Sequence, residues 1–306
     1  MSIYGRFTRV GPSGFGHTST AEQVAAGVDL TGQTWLVTGC NSGLGAETLR
    51  VLSRRGATVL ATARTEAKAR AATAGVAHAV PLVCELSDIQ SVRACVRAVE
   101  ALDRPLDGIM TNAGVMALPK RSLCYGIEKQ LFVNHVAHFV LVTSLLDRLA
   151  PRGRVISLSS SGHTNPPRGG IRTQDLGFAR GYSPWKAYGQ SKLANLLFAR
   201  ELARRMGDGS GQVACAVHPG VIMTNLARHL GRVRHVAKFM ASAFLKSVPE
   251  GAATQVWAAV RADPQRIHGQ YLVDCNVAES SALGQDAALA ARLWETTVET
   301  VAGLPA

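Results

Sequence analysis

The chain has 306 residues, 47% of them hydrophobic and 18% charged, and carries a formal net charge of +12. That length is enough to bury a substantial core, and the composition excludes a disordered or low-complexity protein except at the ends. The apolar runs are too short to span a bilayer, no apolar h-region follows Arg6 and Arg9, and the arginines are spread along predicted helices. Neither an integral membrane segment, a signal peptide nor a nucleic-acid site is therefore expected.

Residues 1–33 read as an N-terminal extension to a domain spanning 34–306. Ser19-Thr20-Ala21-Glu22 has the pattern of a helix start and predicts a short helix over Ala21 to Ala26, packed on the outside behind a loose leader. Thr34-Trp35-Leu36-Val37 predicts a buried strand, Thr38 to Gly45 (T-G-C-N-S-G-L-G) a glycine turn, and Ala46 to Arg55 a helix with Leu49 and Leu52 on one face. This succession makes a phosphate site. Gly39, Gly43 and Gly45 leave no side chain where a pyrophosphate must reach backbone N–H groups, and the helix N-terminus adds unpaired donors. Asn41, Ser42 and Leu44 complete the predicted cradle.

The second strand, Thr58 to Thr62, ends at Ala63-Arg64, where an acidic residue would hold the ribose 2′-hydroxyl of NAD. Arg64 stands there instead. Its fork of donors pairs with a 2′-phosphate that a carboxylate would repel, which favours NADP(H) over NAD(H); the plain alternative is that it opens the exposed helix Thr65 to Thr73. His78 to Leu86 predicts a third strand, with Glu85 and Leu86 suited to the adenine edge and Ser87 or Asp88 as N-cap of a helix over Ile89 to Leu102. The fourth strand, Asp107 to Thr111, runs into Asn112-Ala113-Gly114, small residues that let a cofactor lie against the sheet edge.

Tyr125 to Leu149 predicts one long apolar helix, in which Asn134 must find partners or cost on the order of a few kcal/mol. Arg154 to Leu158 is the fifth strand, closing on Ser159-Ser160-Ser161 and an irregular loop over 162–184. The next helix carries Tyr188 and Lys192 one turn apart on one face. Gln212 to Val217 leads into His218, Pro219, Gly220 and Val221, with Thr224 just beyond. Residues 222–248 mix arginines with aliphatic side chains and predict a lid over an apolar substrate. A helix over Pro249 to Arg261, a strand over Gln270 to Val273 and a helix over Gln285 to Val301 follow. The alternation predicts a single-domain Rossmann-type α/β fold, a doubly wound parallel sheet flanked by helices. The six cysteines are scattered, with no C-x-x-C pair and no His at ligand spacing, so no metal is expected and small buried thiols in a reducing cytoplasm are the plain reading.

Taken together, T-G-x-x-x-G-x-G from Thr38, N-A-G from Asn112, Ser160, Y-x-x-x-K from Tyr188 and P-G at Pro219 resemble the short-chain dehydrogenase/reductase family, from about Leu30 to the C-terminus. N-H-x-x-H-F around Asn134, S-S-x-x-H at Ser160 and S-K-L-A-N after Tyr188 are similar to its retinol-dehydrogenase-like branch. The resemblance implies NADP(H), lipophilic alcohols or carbonyls, and a homodimer or homotetramer formed through the apolar helices carrying Asn134 and Tyr188.

It also implies roles. A phenol ionises near pH 10, and an ammonium one turn away stabilises its anion, so Tyr188 exchanges the proton with Lys192 beside it. By resemblance Lys192 also binds the nicotinamide ribose, Ser160 holds the substrate oxygen, and Asn134 holds a water leading from Lys192 to solvent. The residues alone leave Ser159, Ser160 and Ser161 open; alignment with the family's strand end selects Ser160. Pro219, Gly220, Val221 and Thr224 are expected cofactor contacts, and the wide gap before Tyr188 implies an inserted substrate loop bearing His163, Tyr182 and Trp185. The alternatives are a non-catalytic dinucleotide-sensing module, and a C=C reductase or epimerase on the same scaffold.

Overall fold

A computed structural model describes residues 10–207, 209–222 and 245–305. The strands are β1 (Thr34–Val37), β2 (Thr58–Ala63), β3 (Ala79–Val83), β4 (Leu106–Thr111), β5 (Leu123–Cys124), β6 (Ile127–Glu128), β7 (Leu149–Leu158), β8 (Val213–His218), β9 (Tyr271–Val273) and β10 (Asn276–Ala278). Among the described residues, eight of them form a sheet in the order β10-β9-β8-β7-β4-β1-β2-β3, and β5 and β6 form a separate hairpin. Every pairing in the sheet is parallel except β9 with β10. Helices on both faces explain why β1 is an unbroken apolar run with all four residues buried. The predicted Rossmann-type fold is the observed one.

The chain runs outward from β1 to β3 and then returns to β4 on the other side of β1. That reversal opens a crevice at the carboxyl ends of β1 and β4. The register aligns Val37 with Met110, Met110 with Ile156, and Ile156 with Cys215. The residues after these positions emerge along one edge, which gathers the glycine turn, Asn112, Ser160 and His218. Neighbouring strands β1 and β4 pack tightly: Trp35 pairs with Gly108, and a Cβ on Gly108 would lie 2.1 Å from the buried Trp35 ring, so only glycine fits.

Several boundaries differ from the sequence pattern. The predicted helix over Tyr125 to Leu149 begins only at Lys129, because Tyr125 (φ 51°) and Gly126 (φ 80°) turn the β5–β6 hairpin. The buried Glu128 caps the helix start by accepting from Gln130 and Leu131 N–H. Hairpin and helix both bury apolar residues, and period alone does not separate them. The helix ends at Ser144 and β7 starts at Leu149, ahead of the expected Arg154, with irregular pairing to β4 around Pro151. β3 stops at Val83, and the helix bearing Tyr188 starts at Pro184, where proline suits a first helical turn.

The N-terminal segment is held. Ala21–Ala25 is a helix with a Thr20/Gln23 capping box, its Ala21, Val24 and Ala25 buried, and the Arg261 guanidinium donates to Val24 O and Ala26 O. Asn276 bonds Ser13 N at 3.0 Å and Phe15 O at 3.1 Å, so residues 10–20 are not the loose leader expected. At the other end, helix Ala287–Ala302 lays Trp294 flat on Phe198 (centroids 5.9 Å) and edge-on to Phe139 (4.9 Å). It covers apolar surface on the helices carrying Asn134 and Tyr188, whose apolar character on more than one face motivated the expected oligomer. All six cysteines are free and buried. Among the described residues no helix is long and apolar enough to cross a membrane, and no group of three or more His, Cys, Asp or Glu stands at metal-binding distance.

Candidate active site

The helix after β1 starts at Gly43, ahead of the expected Ala46, which places Gly43, Leu44 and Gly45 in its first turn. Ser42 is extended, exposed and makes no side-chain cap, so first-turn N–H groups are left for an anion. Gly39 has φ 75°, and a Cβ there would lie 2.9 Å from Ala113 Cβ. A Cβ on Gly45 would lie 2.2 Å from Gly39 O and 2.6 Å from Asn112 Nδ2. Closeness of the turn to the β4 loop thus demands the glycines. Asn112 Nδ2 donates to Thr38 O at 2.8 Å, and Ala113 N to Thr38 Oγ1 at 2.9 Å, locking loop to turn. This bare cradle fits a pyrophosphate. Asn41 is exposed beside it, and Leu44 backs onto Gly251.

Arg64 is exposed at the end of β2, and among the described residues no ion pair engages it. The nearby Glu66 is taken by Arg70 at 2.6 Å. After β3, the Glu85 carboxylate accepts from Ser87 N and Oγ at 2.9 and 2.8 Å, Leu86 is buried, and Asp88 serves as the N-cap.

Across β4 and β7 lies the second half of the site. Phe132–Val136 is a π-helical turn, with Ala137 N donating to Phe132 O five residues back, and Asn134 sits inside it. The buried Asn134 amide is satisfied within the chain: Oδ1 accepts from Val115 N at 2.8 Å, and Nδ2 donates to Val115 O and Ser191 Oγ, both at 2.9 Å. Ser191 in turn donates to Tyr188 O at 2.8 Å. Of the three serines, Ser159 is buried and donates to Lys192 O at 2.7 Å, Ser161 is exposed, and Ser160, whose Oγ accepts from Gly162 N at 3.1 Å, stands beside the Tyr188 phenol.

Electrostatics here are governed by burial. It raises the Tyr188 phenol, and the neighbouring Ser160 opposes it only in part. Lys192 Nζ lies 5.8 Å from the Tyr188 ring centroid and is itself pulled down to about 8 by burial. Lys192 Nζ donates to Leu158 O at 2.9 Å, an acceptor it shares with Asn195 Nδ2. The surrounding imidazoles are neutral, with burial holding His135 near 3 and both His138 and His218 near 4.

A lysine held below its unfolded value of 10.5 costs stability. The unfolded chain binds the proton more tightly, so the cost is full below about pH 8 and fades as pH rises from 8 toward 10.5. Lys192→Met keeps the length and leaves Leu158 O bonded to Asn195. It should therefore raise the melting temperature at pH 7 by roughly 2–4 °C. Thermal melts at pH 7 and pH 10 check this, with the gap between the two proteins narrowing at the higher pH.

The three expected substrate residues diverge. Trp185 stands 53% exposed with its ring edge-on to Tyr188 at 6.2 Å. His163 is buried, its Nδ1 2.7 Å from Ser160 O and its Nε2 accepting from Ser281 N at 3.1 Å. The Tyr182 hydroxyl donates to Leu118 O at 2.7 Å. Pro219 and Gly220 follow β8; Gly220 has φ 85° and packs on the aliphatic stem of Lys246, whose ammonium pairs with Asp274 at 2.5 Å. Val221 is half exposed. Thr224 and most of the expected lid lie outside the described residues. Sequence reasoning missed Thr38, His138 and Ser191 as site residues; all three were in quoted or adjoining motifs, but their partners are distant in the chain.

One sheet edge thus carries a phosphate cradle and, two strands over, a buried tyrosine–lysine pair, the layout of a dinucleotide-dependent oxidoreductase. The family model for short chain dehydrogenase matches residues 33–171. Short-chain dehydrogenase TIC 32 B, chloroplastic, of Brassica napus is 39% identical over the whole of both chains, and retinol dehydrogenase 12 of Mus musculus is 37% identical over 89% of this chain and 87% of its own. The crystal structure of an uncharacterised protein from Mycobacterium paratuberculosis superposes with a TM-score of 0.74 at 35% identity, covering 90% of this chain and 96% of that one. A short-chain dehydrogenase from Burkholderia cenocepacia in complex with NADP does so with 0.62 at 25% identity, covering 80% and 96%. The chain belongs to the short-chain dehydrogenase/reductase family, in its retinol-dehydrogenase-like branch, and is an oxidoreductase of the kind that binds a nicotinamide dinucleotide.

Proposed function

We propose that this enzyme interconverts an alcohol with a ketone or aldehyde, using NADP(H), on a bulky apolar substrate. The observation that carries the reading is the placement of Ser160 beside the Tyr188 phenol, with a buried Lys192 one helical turn on, along the sheet edge that holds the phosphate cradle. When bound, the dinucleotide supplies the hydride in reduction and accepts it in oxidation. Gly39, Asn41, Ser42, Gly43, Leu44 and Gly45 would hold its pyrophosphate, Arg64 its 2′-phosphate, and Glu85 and Leu86 its adenine. Asn112, Ala113, Gly114, Lys192, Pro219, Gly220 and Val221 would line the rest.

In reduction, Tyr188 Oη gives its proton to the substrate oxygen, whose growing charge Ser160 Oγ–H stabilises. The phenol is protonated near neutral pH, as the acid role requires; in oxidation Tyr188 must first lose its proton, and Lys192, itself an ammonium at pH 7, can only pass it on. Trp185 offers an apolar wall at the mouth. A sensing module has no use for a lysine that lowers stability, so this arrangement favours catalysis. Turnover of NADPH with carbonyl compounds tests the reading. Whether copies associate is read by sedimentation, and an oligomer would need a surface other than the one covered by Ala287–Ala302.

The NADP(H) preference rests on Arg64. Charge-assisted bonds to a phosphate contribute about 1.5–3 kcal/mol, so Arg64→Ala should weaken NADPH about tenfold or more and leave NADH nearly unchanged; titration of both nucleotides by fluorescence checks it. Asn134 retains one lone pair on Oδ1 for a water toward Lys192. A Cβ on Gly114 would enter that space, 3.0 Å from Asn134 Oδ1 and 3.6 Å from Lys192 Nζ. Gly114→Ala should therefore lower kcat roughly tenfold with little change in melting temperature, measured at saturating NADPH.

A further inference from the structure

We propose that His138 is a positioning residue for this reaction: its imidazole bridges Thr38 of the cofactor turn to the backbone of Asn134, and so fixes the glycine cradle relative to Tyr188. The proposal rests on the functional reading above. His138 lies one helical turn after Asn134 and is 2% exposed, among Phe132, Val136 and Leu141 in the same buried layer. An imidazole there is costly unless both nitrogens are partnered, and both are. Nδ1 is 3.0 Å from Asn134 O, and Nε2 is 2.9 Å from Thr38 Oγ1.

Those partners determine where each proton sits. A carbonyl only accepts, so Nδ1 carries the hydrogen. In the neutral ring Nε2 then accepts, and the Thr38 hydroxyl must donate to it. This leaves Thr38 Oγ1 to accept from Ala113 N at 2.9 Å, as observed. On the other side, Asn134 bonds Ser191, and Ser191 bonds Tyr188 O. A directed chain therefore runs from Ala113 through Thr38 and His138 to Asn134, and on through Ser191 to the helix of Tyr188. Thr38 and His138 are 100 positions apart, and the bridge spans from the end of β1 to the helix that follows the π-helical turn. Displacing a reacting group by about 1 Å can cost on the order of a hundredfold in rate, which gives such a bridge its purpose. A charged His138 would also repel Lys192, and burial keeps it neutral.

The test uses the full chain with NADPH and whichever carbonyl compound turns over best. Thr38→Val removes the hydroxyl at equal volume, and His138→Leu removes the imidazole. Each should lower kcat more than about tenfold, and His138→Leu, which leaves the Ala113–Thr38 bond in place, should change the dissociation constant of NADPH less than about threefold. The double variant should be no slower than Thr38→Val alone, which already breaks the link to His138 along with that to Ala113 N. Thr38→Ser, which restores the hydroxyl, should recover most of the loss. Long-range ¹H–¹⁵N spectra of the wild-type imidazoles at pH 7 should show His138 as the Nδ1–H tautomer, which covers the case in which His138→Leu fails to fold. An active wild type whose Thr38→Val variant keeps kcat, additive losses in the double variant, or an Nε2–H tautomer would each overturn the proposal alone. A wild type that binds NADPH and turns over no carbonyl overturns the functional reading and this proposal with it.

Discussion

Tyr188→Phe should bind NADPH as the wild type does and lose about a thousandfold in turnover, since the phenol is the group that exchanges the proton and general acid–base groups contribute about 10²–10⁴. The substitution removes little else. The ring keeps its edge contact with Trp185 and its packing on Gly162, and Ser160 Oγ still accepts from Gly162 N at 3.1 Å. No buried polar atom is left without a partner, so the melting temperature should move by no more than a few degrees. Steady-state rates at saturating NADPH, with nucleotide binding measured separately, decide it. Wild-type turnover in this variant would remove Tyr188 from the mechanism.

Gly45→Ala should be the most damaging single-atom change in the cofactor cradle. Its Cβ would meet backbone, Gly39 O at 2.2 Å, and the Asn112 amide at 2.6 Å that donates to Thr38. Neither can yield cheaply. Gly39 is already at φ 75°, and Asn112 and Ala113 are bonded to Thr38. Forcing the turn away from the β4 loop should cost about 3 kcal/mol, a large part of a domain's ~5–15 kcal/mol, and weaken NADPH more than tenfold. Thermal melting and nucleotide titration measure the two effects. A variant with wild-type stability and affinity would mean that the turn and the β4 loop are not held together as described.

How much of this was legible in the sequence follows from which signals are local. β1, the glycine turn and its helix could be read because apolar run, glycine spacing and helical face are adjacent in the chain. The strand order and register then bring the cradle, Ser160 and the Tyr188 helix to one edge. The hairpin at Tyr125 was illegible because its buried residues share the apolar character of the helix that follows, and only positive φ at Tyr125 and Gly126 separates them. The pKa of Lys192 needed the fold for a related reason. Four-residue spacing places it near Tyr188, but burial, a tertiary property, sets its pKa. The His138 bridge and the covering of the Phe139 and Phe198 face by Trp294 also needed the fold, because their partners are far apart in the chain.

The central claim is hydride and proton exchange with a carbonyl, driven by NADP(H) at the Tyr188 site. It is tested most directly by following NADPH and NADH oxidation by absorbance against ketones, aldehydes and quinones, from small aliphatics to steroids and retinoids. The account predicts turnover with NADPH preferred, fastest on bulky apolar carbonyls. NADPH binding with no turnover across that panel would contradict it.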